Sequence, residues 1–390
     1  MTLRVLFVDD EPAVLDGLRF RMRRARDRWQ ASYADGGRAA LELLGQQAFD
    51  VVVTDIRMPG VDGVQVLERT KQLHASALRV VLSGHAEADA LSRVSALAHR
   101  VLGKPCDFSA LQAVLEGAEA WRGDDETTDV IRAKISWIGQ LPSPPTTYLE
   151  LCQLEHNSRA GTRGVIEIVE RDPALVTRLL QLANSAMLGV SRRVDSIEQA
   201  VAMVGVELLK SLALASRLTG AAASSSIAPA DLAREQRHSL TSAAVARRLA
   251  TRAAPGRGDE AFAAGLLHDV GRLVLAMFGP IGGADTVARG PTGDSPEFMA
   301  SERARFGLDH SAAGAHLLQR WGLPASLVEV VAGHHAPVTE VGLVAPDPLV
   351  VLVHVSSLLA EDPDLELPPA LLDLVDRREL IEARELARRG

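Results

Sequence analysis

Cysteine is nearly missing from this chain: only Cys106 and Cys152 occur among 390 residues. That excludes a disulfide framework and fits a reducing compartment, so a cytoplasmic setting is expected. Long apolar runs are missing too. The best, Pro348 to Ala360, is too short to span a bilayer and contains His354. Met1-Thr2-Leu3-Arg4 leads straight into a strand-like run, so no leader is expected. Lysine is scarce, with Lys71, Lys104, Lys134 and Lys210 the only four. Nor is there a basic excess. Residues 1–122 hold 16 basic and 16 acidic side chains, while the rest hold 26 and 34 and carry the whole net charge of −8. An acidic second part argues against a nucleic-acid-binding output. No fixed-period repeat is evident.

What is present falls into two patterns. From Leu3 to about Arg122, apolar strand-like runs (Leu3–Val8, Trp29–Ala34, Val51–Thr54, Leu78–Leu82, Arg100–Leu102) alternate with amphipathic helical stretches. Five strands with five helices predict an α/β doubly wound parallel sheet in flavodoxin-like order. In such sheets chemistry gathers beyond the carboxyl ends of the strands. Those ends read Asp9-Asp10-Glu11, Asp55, Ser83-Gly84 and Lys104-Pro105. A strand-final Asp alone is as often a turn-former. Here several ends converge on one crevice. Three carboxylates held together repel one another, and a divalent cation keeps all of them ionised. Oxygen ligands with room for water suit Mg²⁺. A carboxylate there can accept a phosphoryl group, with Lys104 and Ser83 supplying charge and a hydroxyl.

Residues 1–122 therefore resemble the receiver domain of two-component response regulators. The resemblance implies that Asp55 is the phosphoacceptor and that Asp9, Asp10, Asp55 and the backbone carbonyl of Arg57 hold Mg²⁺. It further implies that Ser83 and Lys104 contact the phosphoryl group and that the Lys104–Pro105 bond is cis. One departure is Val101, where such domains usually carry a switching aromatic.

A polar stretch around residues 123–130 reads as a linker, and residues 131–390 are patterned as helices only. Asp172-Pro173 predicts a helix start, with the helix running from Ala174 to Met187 and closed by Gly189. Ser196 and Gln199 form a capping box for a helix through Leu208. Ala221 to Ala230 reads as a loop, as do the surroundings of 254–258 and 289–296. His268-Asp269 lies inside an apolar helical run, Phe262–Leu275, with His238, His310 and His334-His335 as candidate partners. Imidazole and carboxylate together suit Zn, Mn, Fe or Ni rather than Ca. His156, His316 and His354 read as ordinary core histidines.

Leu141-Pro142, Glu170-Arg171-Asp172-Pro173, the Ser196–Leu209 helix, His268-Asp269-Val270-Gly271 and His334-His335 are similar to the HDOD domain. This is a signalling relative of the HD phosphohydrolases, generally non-catalytic. Set beside the dinuclear HD-GYP phosphodiesterases, the resemblance puts His238, His268, Asp269, His310, His334 and His335 at ligand positions of a second metal site. Ser357 stands where a last Asp ligand is expected, Arg272 replaces a lysine, and Ala336-Pro337-Val338 replaces Gly-Tyr-Pro. The implied count is zero or one tightly bound metal, without turnover of cyclic di-GMP.

These resemblances imply a bacterial response regulator in which a sensor histidine kinase phosphorylates Asp55 and thereby switches a non-catalytic HDOD scaffold. The output partner is a protein or a nucleotide-signalling component, with no nucleic acid or membrane partner, and a homodimer is compatible. The alternatives are a phosphorylation-gated, metal-dependent phosphohydrolase and a phosphate sink.

Overall fold

The computed structural model describes residues 2–25, 28–83, 94, 97–104, 108–120, 144–155, 161–184, 194–223, 227–277, 296–335, 347–372 and 374–389. Two compact units result, one of Met1–Leu149 with Arg320–Gly322, the other of Glu150–Gln319 with Leu323–Gly390.

In the first unit, strands β1 (Leu3–Asp9), β2 (Trp29–Asp35), β3 (Val51–Asp55), β4 (Leu78–Ser83) and β5 (Arg100–Gly103) form one sheet. All pairs are parallel, in the order β2-β1-β3-β4-β5. This is the expected flavodoxin-like winding. The described helices are α1 (Pro12–Met22), α2 (Gly37–Gln46), α3 (Gly63–Leu73) and α4 (Phe108–Ala120). Both sheet faces are covered, which is why the strands read as continuous apolar runs. Val5 and Phe7 pack with Leu15, Leu18, Leu111 and Leu115 on one face. Leu6 and Val8, pointing the other way, pack with Ala40, Leu44 and Val66. Register aligns the strand ends. Val8 pairs with Thr54, Asp55 with Leu82, and Ser83 with Gly103. Asp9, Asp55, Ser83 and Lys104 thus leave the sheet at one edge.

The second unit is helical. It begins with α5 (Thr146–Glu155), at the division between the units, then α6 (Gly161–Glu170) and α7 (Pro173–Ala183). Asp172 caps α7 by accepting from the Leu175 amide, with Pro173 in the first turn, as its sequence predicts. The helix is shorter than expected. It stops at Ala183 because Asn184 takes the C-cap and ties to Val194 in both directions; Met187 and Gly189 lie outside the described residues. The Ser196 cap is present, but the expected single helix is two. α8 (Ile197–Val204) ends at Gly205, whose φ of 80° only glycine adopts cheaply, and α9 (Val206–Ala223) begins anew. The expected loop at 221–230 is narrower, since α9 extends to Ala223 and α10 (Pro229–Ala253) starts at Pro229.

The run Phe262–Leu275 is likewise not one helix. α11 (Gly258–Leu267) and α12 (Val270–Met277) are separated by a turn made of His268 and Asp269. There follow α13 (Pro296–Phe306), α14 (His310–Trp321), α15 (Ala325–Gly333), α16 (Pro348–Glu361), α17 (Pro369–Leu372) and α18 (Arg377–Arg389). α10 is the axis of the unit and packs against α11, α16 and α18. Two glycines permit backbone-to-backbone approach at the centre. A Cβ on Gly265 would lie 2.7 Å from the Ala243 Cα, and one on Gly271 only 1.8 Å from the His310 carbonyl oxygen.

Candidate functional site

At the carboxyl edge of the sheet, Asp9 and Asp55 are buried and Asp10 is half-buried, with oxygens within 4.8 Å of one another. The Asp55 Oδ1 accepts the Ile56 amide at 2.6 Å, while Lys104 Nζ lies 2.7 Å from Asp55 Oδ2 and 2.8 Å from Asp9 Oδ2. Burial pushes the Lys104 ammonium toward deprotonation. Its bonds and charge contacts with Asp55 and Asp9 outweigh that, and the pKa is raised. Three carboxylates against one ammonium leave a formal −2, which one divalent ion balances. Arg57 lies two residues beyond Asp55 in the loop after β3, and its side chain is exposed. Ser83 ends β4, opposite Gly103; Gly84 and Pro105 lie outside the described residues. Val101 is half-buried beside the Ile56–Leu67–Val81 cluster.

The second site is built by four local structures. α10 buries Glu235, His238 and Ser242 on one face, three and four residues apart. The turn between α11 and α12 presents His268 and Asp269. Asp309 caps α14 through the Ala312 amide and so fixes His310 at the helix start. His334 and His335 form the turn that ends α15. The ligand-type atoms fall into two groups sharing one carboxylate: Asp269, His310, His334 and His335, and His238, His268 and Asp269. All six residues named from the sequence are brought together. Ser357, on α16, also arrives there, its hydroxyl 3.2 Å from His238 Nε2.

Hydrogen bonds on the far side of three of the rings set their tautomers. His268 Nδ1 is 2.7 Å from the Gly265 carbonyl, and His334 Nδ1 is 2.7 Å from the Val331 carbonyl. A carbonyl only accepts, so in both rings Nδ1 carries the proton. His310 Nδ1 likewise faces Glu302 Oε2 at 2.7 Å. With Nδ1 engaged behind them, these three rings turn Nε2 inward. They aim it at a carboxylate: His268 Nε2 is 3.0 Å from Asp269 Oδ2, and His334 and His310 Nε2 are 3.4 and 3.5 Å from Oδ1. They also face one another, with His310 Nε2 2.7 Å from His335 Nε2 and His238 Nε2 3.4 Å from His268 Nε2. Burial, then the neighbouring histidines, hold His335 far below its ordinary pKa, so protons are a poor remedy for this crowding. A set of buried lone pairs around a carboxylate fits a divalent transition ion.

Two residues at this site escaped the sequence reading. Glu302, fully buried on α13, accepts from both the amide and Nδ1 of His310. Glu361, one turn beyond Ser357 on α16, places Oε2 3.7 Å from His238 Nδ1. Nothing distinguishes Glu302 from its charged neighbours Glu297, Arg303 and Arg305 in sequence. Glu361 had a weak signal, its spacing of four from Ser357. Of the ordinary histidines, His354 gives Nδ1 to the His334 carbonyl at 2.7 Å, and His316 is half-buried on α14. His156 and residues 336–338 lie outside the described residues.

A parallel sheet with a carboxylate–lysine edge, in one chain with a helical unit holding a His–Asp cluster, defines a signalling protein of the receiver-plus-output class. Comparisons with known proteins agree. The model of the response regulator receiver domain matches residues 5–116, and that of the HDOD domain matches residues 141–337. The chain belongs to the HDOD family and carries an N-terminal receiver domain. An uncharacterized protein of Treponema pallidum (strain Nichols) is 28% identical over 217 residues, 54% of this chain and 40% of that protein. The transcriptional regulatory protein ZraR of Escherichia coli (strain K12) is 32% identical over 118 residues, 30% of this chain and 27% of its own. The chain thus spans less than half the length of these curated relatives. Among solved structures, an HDOD domain protein with unknown function from Geobacter sulfurreducens is similar over 66% of this chain and 96% of its own, with 21% identity and a TM-score of 0.49. No helix among the described residues is long and apolar enough to cross a membrane.

Proposed function

We propose that this chain is a response regulator whose input is phosphorylation of Asp55 and whose output is a metal-holding, non-catalytic HDOD unit. The observation that carries the input is Lys104 Nζ seated between Asp55 and Asp9 at the sheet edge. Asp9, Asp10, Asp55 and the Arg57 carbonyl are the residues that would hold Mg²⁺, which supplies charge neutralisation for a dianionic phosphoryl group. The Asp55 carboxylate attacks phosphorus as the donor's bond to that phosphorus breaks, leaving an acyl phosphate on Asp55. Lys104 offers its ammonium, and Ser83 its hydroxyl, to the new phosphoryl oxygens. The phosphodonor is a sensor histidine kinase. The added charge shifts a two-state equilibrium of the receiver, and the helical unit exposes or hides a surface for a protein or nucleotide-signalling partner. Incubation with acetyl phosphate and Mg²⁺ yields an acid-labile acyl phosphate, absent from Asp55→Asn. Equal labelling of that variant disproves the assignment.

For the output unit, the four-ligand group of Asp269, His310, His334 and His335 would hold one ion tightly, Zn, Mn, Fe or Ni. The His238–His268–Asp269 group lacks a fourth protein ligand atom of the carboxylate type, because Ser357 stands there. Metal analysis of purified protein gives near one ion per chain, and Asp269→Asn loses it. This cluster is also what favours the phosphohydrolase reading. Two ions per chain, with turnover of a phosphodiester abolished by Asp269→Ala, would establish that reading instead.

A further inference from the structure

The turn Gly36-Gly37, between β2 and α2, has no side chain that could meet a phosphate or a metal, yet it touches both halves of the acidic edge. On one side the Gly36 amide donates to the Asp9 carbonyl at 3.1 Å, just beyond the pairing of Asp9 with Asp35. Gly36 has φ 86° and ψ 171°, a region essentially reserved for glycine. On the other side, Gly37 is buried against the loop that follows Asp55. A Cβ on Gly37 would lie 2.7 Å from Val61 Cγ1 and closer still to the Val61 carbonyl oxygen. That oxygen is backbone and cannot turn away as a side chain would.

The loop from Ile56 to Asp62 is poorly placed to absorb a push at Val61. The Gly63 amide closes it by donating to the Ile56 carbonyl at 2.9 Å. Asp62 and Gln65 form a reciprocal capping box at the start of α3. Met58 and Val61 both pack into the core that holds Ala40 and Leu44 of α2. Arg57 lies between Ile56 and Met58, so a displaced loop is a displaced Arg57 carbonyl.

We propose that Gly36-Gly37 is a positioning element of the Mg²⁺ site, setting the spacing between the Asp9-Asp10 end of β1 and the Arg57 carbonyl. The proposal rests on the reading of this edge as the phosphorylation site. Its physical basis is the geometric tolerance of the ion. Mg²⁺ demands near-octahedral oxygen ligands at about 2.0–2.1 Å, whereas Ca²⁺ accepts looser geometry at about 2.3–2.6 Å. A small displacement of one ligand against the others therefore costs Mg²⁺ more than Ca²⁺. The close approach of α2 to the loop at Gly37 is then a source of preference for Mg²⁺, and not of stability alone.

The test is calorimetric titration of the full chain with Mg²⁺ and, separately, with Ca²⁺. Melting temperature is read on the same samples, and labelling by acetyl phosphate is followed against Mg²⁺ concentration. Gly37→Ala weakens Mg²⁺ binding about tenfold, the lower end for groups that orient metal ligands, and weakens Ca²⁺ binding less. Labelling then needs more Mg²⁺ to reach half its maximal rate, while the rate at saturating Mg²⁺ stays close to wild type. Gly36→Ala strains the same turn from the Asp9 side and moves both readouts in the same direction. Gly45→Ala is the control: it lies on α2 with open space around a Cβ, and it leaves both affinities unchanged. Folded variants of the turn that bind Mg²⁺ like wild type, or that lose Mg²⁺ and Ca²⁺ equally, overturn the proposal alone. If neither variant folds, the turn is a requirement of folding and the proposal is overturned as well. Wild-type protein that takes up neither Mg²⁺ nor label overturns the phosphorylation reading, and this proposal with it.

Discussion

Glu302 shows how much of a candidate metal site is decided outside its ligand-type residues. Its carboxylate takes two hydrogen bonds from His310, one from the amide and one from Nδ1, and both are in the dry interior. Carboxylate–imidazole pairs of this kind fix the ring and raise the basicity of the opposite nitrogen. Glu302→Gln is therefore expected to weaken metal binding by about 10- to 100-fold, as second partners of ligating histidines commonly do. Competition with a chromophoric chelator measures it, and an unchanged affinity would mean that His310 is not a ligand. His268 and His334 are oriented instead by carbonyls within their own turns. No side-chain substitution removes those partners.

At the scale of elements, the turn between α11 and α12 and the start of α14 are held together by an absence of side chain. Gly271 leaves room for the His310 carbonyl, which a Cβ would approach to 1.8 Å. Gly271→Ala must push α12 and α14 apart and so separate Asp269 from His310. The expected cost is on the order of 3 kcal/mol, at the upper end for overpacking because the obstacle is backbone. Thermal denaturation reads the stability loss, and metal content reads the loss of the site. A second device ties the start of α11 to α15 and α16. Arg257 binds Glu260 of α11 and Asp347, the N-cap of α16, while Ser326 of α15 donates to Glu260. The bonds to Arg257 hold the carboxyl groups of Asp347 and Glu260 below their ordinary pKa. A carboxylate depressed in the folded state stabilises it above the unfolded pKa, and that stability is lost as pH falls through the folded value. Arg257→Met should cost about 1–2 kcal/mol at pH 7, discounted for partial exposure. The gap between variant and wild type should close as pH falls below about 4. Denaturant melts across that window test the sign.

Across the whole molecule, charge separates the roles of the two units. Residues 1–122, which include the receiver match at 5–116, balance, and the remainder carries the net −8. The relative named a transcriptional regulatory protein matches over 118 residues, 30% of this chain, so it gives no reason to expect DNA binding by the helical unit. Gel-shift titration with duplex DNA should show no salt-sensitive binding near physiological ionic strength, since a part of the chain with net charge −8 is repelled by the phosphate backbone. Binding whose affinity falls steeply with salt would contradict this.

The sequence by itself determined the receiver almost completely. Period-two and continuous apolar runs specify buried parallel strands, and a parallel winding forces strand-final residues to one edge, so Asp9, Asp55, Ser83 and Lys104 were legible without coordinates. It also determined which five histidines and one aspartate to watch in the helical unit, through motifs rather than periodicity. Tertiary structure alone decided how they meet. A 3.6-residue pattern cannot show that Gly205 and His268-Asp269 interrupt apolar runs that look continuous, because a buried turn is as apolar as a buried helix. It cannot pair Glu302 with His310 or Glu361 with His238, for those partners are chosen by the packing of separate helices. The lone-pair convergence on Asp269 is likewise a product of hydrogen bonds behind His268, His310 and His334, which only the folded chain supplies.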